Sequence, residues 1–136
     1  MIIDYENELS NAQAVTDTAA STNYIDFGDA KDHAKGNPLM LEVSVDTAAV
    51  SGGSSTVDFQ LEFDTTTTFT PDKTVDLAIA VPKDTLVAGY KVFRGSIPEY
   101  GTYRYMRLKY TVNTADLTAG AFSARIVEAF QSNENG

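Results

Sequence analysis

With 136 residues, the chain has the length of one domain, and its 43% apolar residues can supply one buried core. It has 19 acidic and 10 basic residues, and the resulting formal net charge of -9 opposes contact with nucleic-acid phosphates or an anionic membrane surface. Cysteine is absent, which excludes disulfides, zinc–thiolate sites and cysteine nucleophiles. We therefore expect proteins, and neither nucleic acid nor membrane, as partners.

Residues 1–22 differ from the rest because their apolar side chains are widely spaced. The apolar side chains that could anchor this segment are Ile2, Ile3, Tyr5 and Leu9. No basic stretch or long apolar run resembles a signal peptide, so we expect synthesis in the cytoplasm. We interpret 1–22 as an N-terminal arm that docks through these side chains, because termini are ordered only when tied down. The alternative is a first edge strand followed by a loop.

From residue 23 onward, apolar and polar residues alternate with a period of two. The alternation is clearest over 39–46, 57–64, 75–81 and 106–112, and shorter strands are predicted over 24–27, 90–96 and 121–130. The predicted apolar face of the 75–81 strand consists of Val75, Leu77, Ile79 and Val81. Turn signals rich in Gly, Pro and Asn separate the strands, and no helix is predicted.

Strands with one apolar face each require two sheets that cover one another. We therefore predict an all-β protein, a two-sheet antiparallel sandwich over residues 23–130 with a flexible tail over 131–136. Seven or eight strands favour a jelly roll. An immunoglobulin-type sandwich is the alternative, although the Cys–Trp–Cys signature of that fold is missing.

Few residues point to catalysis or metal binding. His33 is the single histidine, and it lies in a polar loop with Asp29 and Asp32 whose spacing matches no known metal loop. No Gly-x-Ser-x-Gly motif supplies a nucleophile. The carboxylates of Asp58, Glu62 and Asp64 fall on the polar face of an alternating strand, as solubility requires. We expect no catalytic residue, no metal and no cofactor.

The strand around residue 106 carries aromatic and basic residues opposite its apolar face. That apolar face consists of Met106, Leu108, Tyr110 and Val112, so Tyr103, Tyr105 and Arg107 are expected to face outward. Tyrosine and arginine are enriched in protein interfaces, and these three residues are predicted to bind a partner. The alternatives are a shielded aromatic ladder or a strand that is buried on both faces. A third alternative is a carbohydrate-binding jelly roll, in which Tyr100, Tyr103 and Tyr105 would stack on sugars.

Short stretches spread over residues 1–127 carry a resemblance to a known family. They are Ser10-Asn-Ala-Gln-Ala-Val-Thr16, Ala19-Ala-Ser21, Gly36-Asn-Pro-Leu-Met-Leu, Leu86-Val-Ala-Gly-Tyr90, Tyr105-Met-Arg-Leu-Lys-Tyr-Thr-Val112 and Leu117-Thr-Ala-Gly120. Together they resemble the small capsid cement, or decoration, proteins of tailed bacteriophages.

The resemblance implies a jelly roll that assembles as a homo-oligomer, a dimer or trimer, and binds the major capsid protein. Such a protein would lie on the outer surface of the phage head after synthesis in the bacterial cytoplasm. There it would cement neighbouring capsid subunits against the internal pressure of the DNA. The family supplies no catalytic residue. The predicted contacts with the capsid are the N-terminal arm and the outward face of the Tyr105 strand.

Overall fold

The computed structural model describes residues 8–26, 40–68, 70, 73–97 and 103–127. These residues form nine strand segments in two antiparallel sheets: β1 (Glu8–Ala14), β2 (Ala19–Ala20), β3 (Ile25–Asp26), β4 (Met40–Val50), β5 (Thr56–Asp64), β6 (Lys73–Pro82), β7 (Lys91–Ser96), β8 (Tyr105–Asn113) and β9 (Ala119–Val127). Within the described ranges there is no helix, and so none that is long and apolar enough to cross a membrane. The predicted all-β sandwich is confirmed.

The strand order is that of a jelly roll. One sheet has the order β1-β9-β4-β7 and the other β2-β8-β5-β6, with β3 pairing beside β2 on the same partner, β8. If β2 and β3 are counted as one interrupted strand, the pairings nest: the first strand pairs with the last, the second with the next to last, and β5 with β6. Such nested pairing is that of one long hairpin folded into two sheets, which is the double Greek key of a jelly roll.

The described part of segment 1–22 lies within the two sheets. Strand β1 pairs with β9, and Leu9 on β1 is fully buried in the core. Ala19 and Ala20 then pair with β8 in the opposite sheet. Residues 8–22 are therefore an edge strand and a loop that crosses between the sheets, and the docked-arm interpretation does not apply to them. The other predicted anchors, Ile2, Ile3 and Tyr5, lie outside the described residues.

Three aromatic rings at the centre of the core join the two sheets. Phe59 and Tyr110 come from β5 and β8 of one sheet, and Phe122 comes from β9 of the other. The Tyr110 and Phe122 rings stack with centroids 5.4 Å apart, and Phe59 meets them edge-on at 5.7 and 5.3 Å. All three side chains are fully buried, so these preferred ring geometries stabilise the packing of sheet on sheet.

An irregularity in β6 changes the face on which one predicted core residue lies. Opposite residues 57–60 of β5, β6 uses the six residues 76–81, so the ladder is bulged. Ala80 has a positive φ of 54°, and its N–H donates to the Asp58 Oδ1 at 2.7 Å. The extra residues interrupt the period of two, and Ile79, which was expected to face inward, is 50% exposed.

Candidate protein-binding surface

The outer face of the five-stranded sheet brings predicted site residues from β8 together with residues from β3 and β5. Met106 and Leu108 on β8 are fully buried, so Tyr105 and Arg107, which alternate with them, face outward. Strand pairing sets Tyr105 between Asp26 on β3 and Asp64 on β5. In the next row, Arg107 lies opposite Glu62.

Two tyrosines and an ion pair form a compact cluster on this face. The Tyr24 ring, 47% exposed, meets the Tyr105 ring edge-on with centroids 5.5 Å apart. The Arg104 guanidinium lies 5.1 Å from the Tyr105 ring centroid, within the range of a cation–π contact. The same guanidinium donates to both oxygens of Asp26, at 2.7 and 3.0 Å. We call these four residues, Tyr24, Asp26, Arg104 and Tyr105, the tyrosine patch.

A second ion pair borders the tyrosine patch. The Arg107 Nε donates to Glu62 Oε1 at 2.6 Å, and the Glu62 residue is only 7% exposed. A buried carboxylate is costly unless it is paired, so Arg107 neutralises Glu62 and holds it in place. This engagement within the chain makes Arg107 a supporting residue beside Tyr105, in addition to its predicted role in partner contact.

Asp64 ends β5 next to the patch. Its Oδ1 accepts hydrogen bonds from the N–H groups of Thr65 at 2.6 Å and Thr66 at 3.3 Å, which turns the chain away from the strand. The residue is 3% exposed, and its buried Oδ2 has no hydrogen-bond partner among the described residues. Asp64 therefore lies beneath the surface and adds rigidity to the turn.

The remaining sequence-predicted site residues lie elsewhere. Tyr103 was expected to face outward, but its half-buried side chain packs against the core, with its ring centroid 6.3 Å from that of Phe63. The reason is that β8 begins only at Tyr105, so the alternation of the strand does not extend to Tyr103. Leu9 is a core residue, and Tyr100 lies outside the described residues.

Sequence reasoning did not select Tyr24 and Asp26 as site residues. Both belong to a short stretch that, within the described residues, is tied to the sheet by the two-residue β3 ladder with β8, roughly eighty residues later in the chain. An aromatic residue next to an acidic one on a short strand is a weak local signal. The pairing of that strand with β8 is what places Tyr24 against Tyr105.

A small cleft lies at one end of the sandwich. It has a volume of about 470 Å³ and is lined by the loop 51–56 and by residues 82–84. Two of the hydroxyls that line it are engaged within the chain, since the Ser51 Oγ donates to the Asp116 carbonyl at 2.8 Å and the Ser55 Oγ donates to the Ala115 carbonyl. In the described part of the chain, no group of three or more His, Asp or Glu side chains could hold a metal ion. His33, Asp29 and Asp32 lie outside it.

Comparison with known proteins identifies a family. The family model of Bbp16 matches residues 9–126, which span most of the chain and nearly all of the sandwich. The chain therefore belongs to the Bbp16 family. No curated protein matches its sequence.

Proposed function

We propose that this member of the Bbp16 family is a structural protein of the phage virion, which binds the outer surface of the head and cements neighbouring major capsid subunits. The resemblance of the sequence to capsid cement proteins supports the proposal. The observation that carries it is the tyrosine patch, a partly exposed aromatic and arginine cluster on the outer face of a jelly-roll sheet.

The composition of the tyrosine patch suits contact with a protein. Tyrosine and arginine are the residue types that dominate the binding energy of interfaces. Here the rings of Tyr24 and Tyr105 are held against one another, and Arg104 is held by Asp26, before any partner binds. Such preorganisation reduces the side-chain entropy that binding would otherwise cost. The ion pair also lets the patch become buried without leaving an unpaired charge.

The net charge of the chain supports a place outside the capsid shell. A formal charge of -9 repels the packaged genome and favours a capsid surface with compensating positive patches. Attraction between opposite charges weakens as salt screens it, over a Debye length of about 8 Å at physiological ionic strength. Binding to heads is therefore expected to weaken as salt is raised.

The test is co-sedimentation of the purified chain with mature, expanded phage heads. We expect Tyr24→Ala and Tyr105→Ala each to weaken binding at least tenfold, because each removes a preorganised ring from the patch. Thr111→Ala is the matched control, since Thr111 lies on the same strand and face as Tyr105 but away from the patch. Unchanged binding by both tyrosine variants, with far-UV circular dichroism showing folded proteins, would refute the proposed contact.

The carbohydrate-binding alternative is an outcome of the same experiment. Sugars stack on flat, accessible aromatic faces, whereas Tyr103 packs on the core and Arg104 lies over the Tyr105 ring. A chain that does not sediment with heads, but binds glycans on an array and loses that binding in Tyr105→Ala, would replace the cement function with the carbohydrate one.

A further inference from the structure

The two sides of the sandwich along which the edge strands run are covered to different extents. On the side of β1 and β2, the chain joins the sheets: the Asn23 N–H donates to the Leu9 carbonyl at 3.0 Å, and the Gln13 Nε2 donates to the Ala20 carbonyl at 2.9 Å. On the opposite side, β6 and β7 are the last of the described strands in their sheets. Most of the described apolar side chains that pack on the core while remaining half-buried lie on these two strands: Val75, Leu77, Ala78, Val81, Val92 and Phe93.

Strand β7 is an edge with a definite pattern of charge. It pairs with β4, and no described strand pairs along its other side. Phe93 faces inward opposite Val43, whereas Lys91 and Arg94 face outward, where they contact Glu42 at 3.3 and 3.7 Å. A strand added to this edge would therefore need apolar side chains on its inner face and acidic ones on its outer face.

The first seven residues of the chain have this pattern. Ile3 and Tyr5 alternate with Asp4 and Glu6, so an extended segment would present two apolar side chains on one face and two acidic ones on the other. Edge strand β6 is the less favourable site for the same segment. The two charged side chains of β6, Lys73 and Asp76, have opposite signs, and Asp76 would repel the acidic residues, whereas both charged side chains of β7 are basic.

Geometry prevents the segment from reaching β7 of its own chain. Strand β1 is at the opposite edge of the same sheet, so a strand added beyond β7 would lie four strand spacings away, or about 19 Å. Only Asn7 separates Glu6 from Glu8, the first residue of β1, and two consecutive Cα steps span at most about 7.6 Å. The occupant must come from a second copy.

We propose that residues 2–6 of one copy of the chain add as a strand to the outer edge of β7 in a second copy. The apolar side chains of the segment then cover Phe93 and extend the core, while its acidic side chains lie beside Lys91. This contact would produce the homo-oligomer. It is independent of the proposed capsid binding, because it forms between copies of the chain in solution.

The direct test is photo-crosslinking of the full chain with p-benzoylphenylalanine in place of Tyr5. Isotopically labelled and unlabelled protein are mixed, irradiated and digested, and mass spectrometry identifies the crosslinked peptides. We expect crosslinks that join labelled to unlabelled chains and end within 91–96. The same photoreactive residue in place of Thr74, an exposed position on β6, is the control and is not expected to crosslink to the N-terminal segment. Crosslinks confined to one chain, crosslinks to β6, or none at all would overturn the proposal.

Sedimentation equilibrium supplies an independent measurement. The double variant Asp4→Lys, Glu6→Lys is expected to raise the dissociation constant for self-association at least tenfold, and deletion of residues 1–7 should leave a monomer. Mixing the double variant with Lys91→Glu should restore association, since the charges are exchanged. Far-UV circular dichroism confirms that each variant folds. If deletion leaves the oligomer unchanged, the proposal is wrong, whereas lost head binding by an intact oligomer would contradict only the capsid function.

Discussion

Replacing Tyr110 with Phe should destabilise the protein at pH 8 but not at pH 11. The Tyr110 hydroxyl is buried and donates to the Ser10 Oγ at 2.8 Å, which in turn donates to the Gln13 Oε1 at 2.7 Å. This chain of hydrogen bonds links β8 of one sheet to β1 of the other. Phenylalanine keeps the ring contacts and loses the hydroxyl, so the free energy of unfolding should fall by about 1 kcal/mol at pH 8.

The pH dependence follows from the burial of Tyr110. Burial raises the pKa of this tyrosine far above its usual value of about 10, and the hydrogen bond with Ser10 offsets only part of the rise. Above pH 10 the unfolded chain loses the Tyr110 proton while the folded chain retains it. Stability from this group is therefore complete below pH 10 and falls by about 1.4 kcal/mol for each pH unit above it. At pH 11 this loss offsets the advantage of the hydrogen bond.

The assay is urea unfolding followed by far-UV circular dichroism at pH 8 and pH 11. The wild type should be more stable than Tyr110→Phe by about 1 kcal/mol at pH 8, and equal or less stable at pH 11. Ser10→Ala is the control: it keeps the ionisable tyrosine, so it should be less stable than the wild type at both pH values. A difference between wild type and Tyr110→Phe that is the same at both pH values would refute the reasoning.

Two further predictions concern stability. Arg107→Ala should lower the free energy of unfolding by about 2–3 kcal/mol, because it leaves the buried Glu62 carboxylate without its cation. Lys109→Ala, on the same face, is the control and should lower it by less than about 0.5 kcal/mol. Equal effects of the two variants in urea unfolding would contradict the role of the ion pair. Ala80→Gly should raise stability by about 0.5 kcal/mol, since Gly adopts the positive φ at this position without strain. Ala78→Gly, at a position without positive φ, should lower stability by about 1 kcal/mol. Thermal unfolding measures both variants, and a melting temperature of Ala80→Gly below that of the wild type would contradict the idea that Ala80 is strained.

The tyrosine patch shows why only part of the candidate site could be predicted. Tyr105 and Arg107 were predicted correctly as outward residues because they alternate with the buried Met106 and Leu108 on one regular strand. Tyr24 could not be assigned to the same site, because its position depends on a pairing between segments that are distant in the sequence.

The sequence by itself determined that the protein is a two-sheet β-sandwich, and which face of most strands lies in the core. Side chains alternate along every regular strand, so a period of two is a local property that any window of the chain displays. The tertiary structure decided what depends on pairing: that residues 8–22 join the two sheets, and that Ile79 turns outward at a bulge. Strand partners are chosen across long stretches of chain by the packing of the whole core, and no local pattern contains that choice.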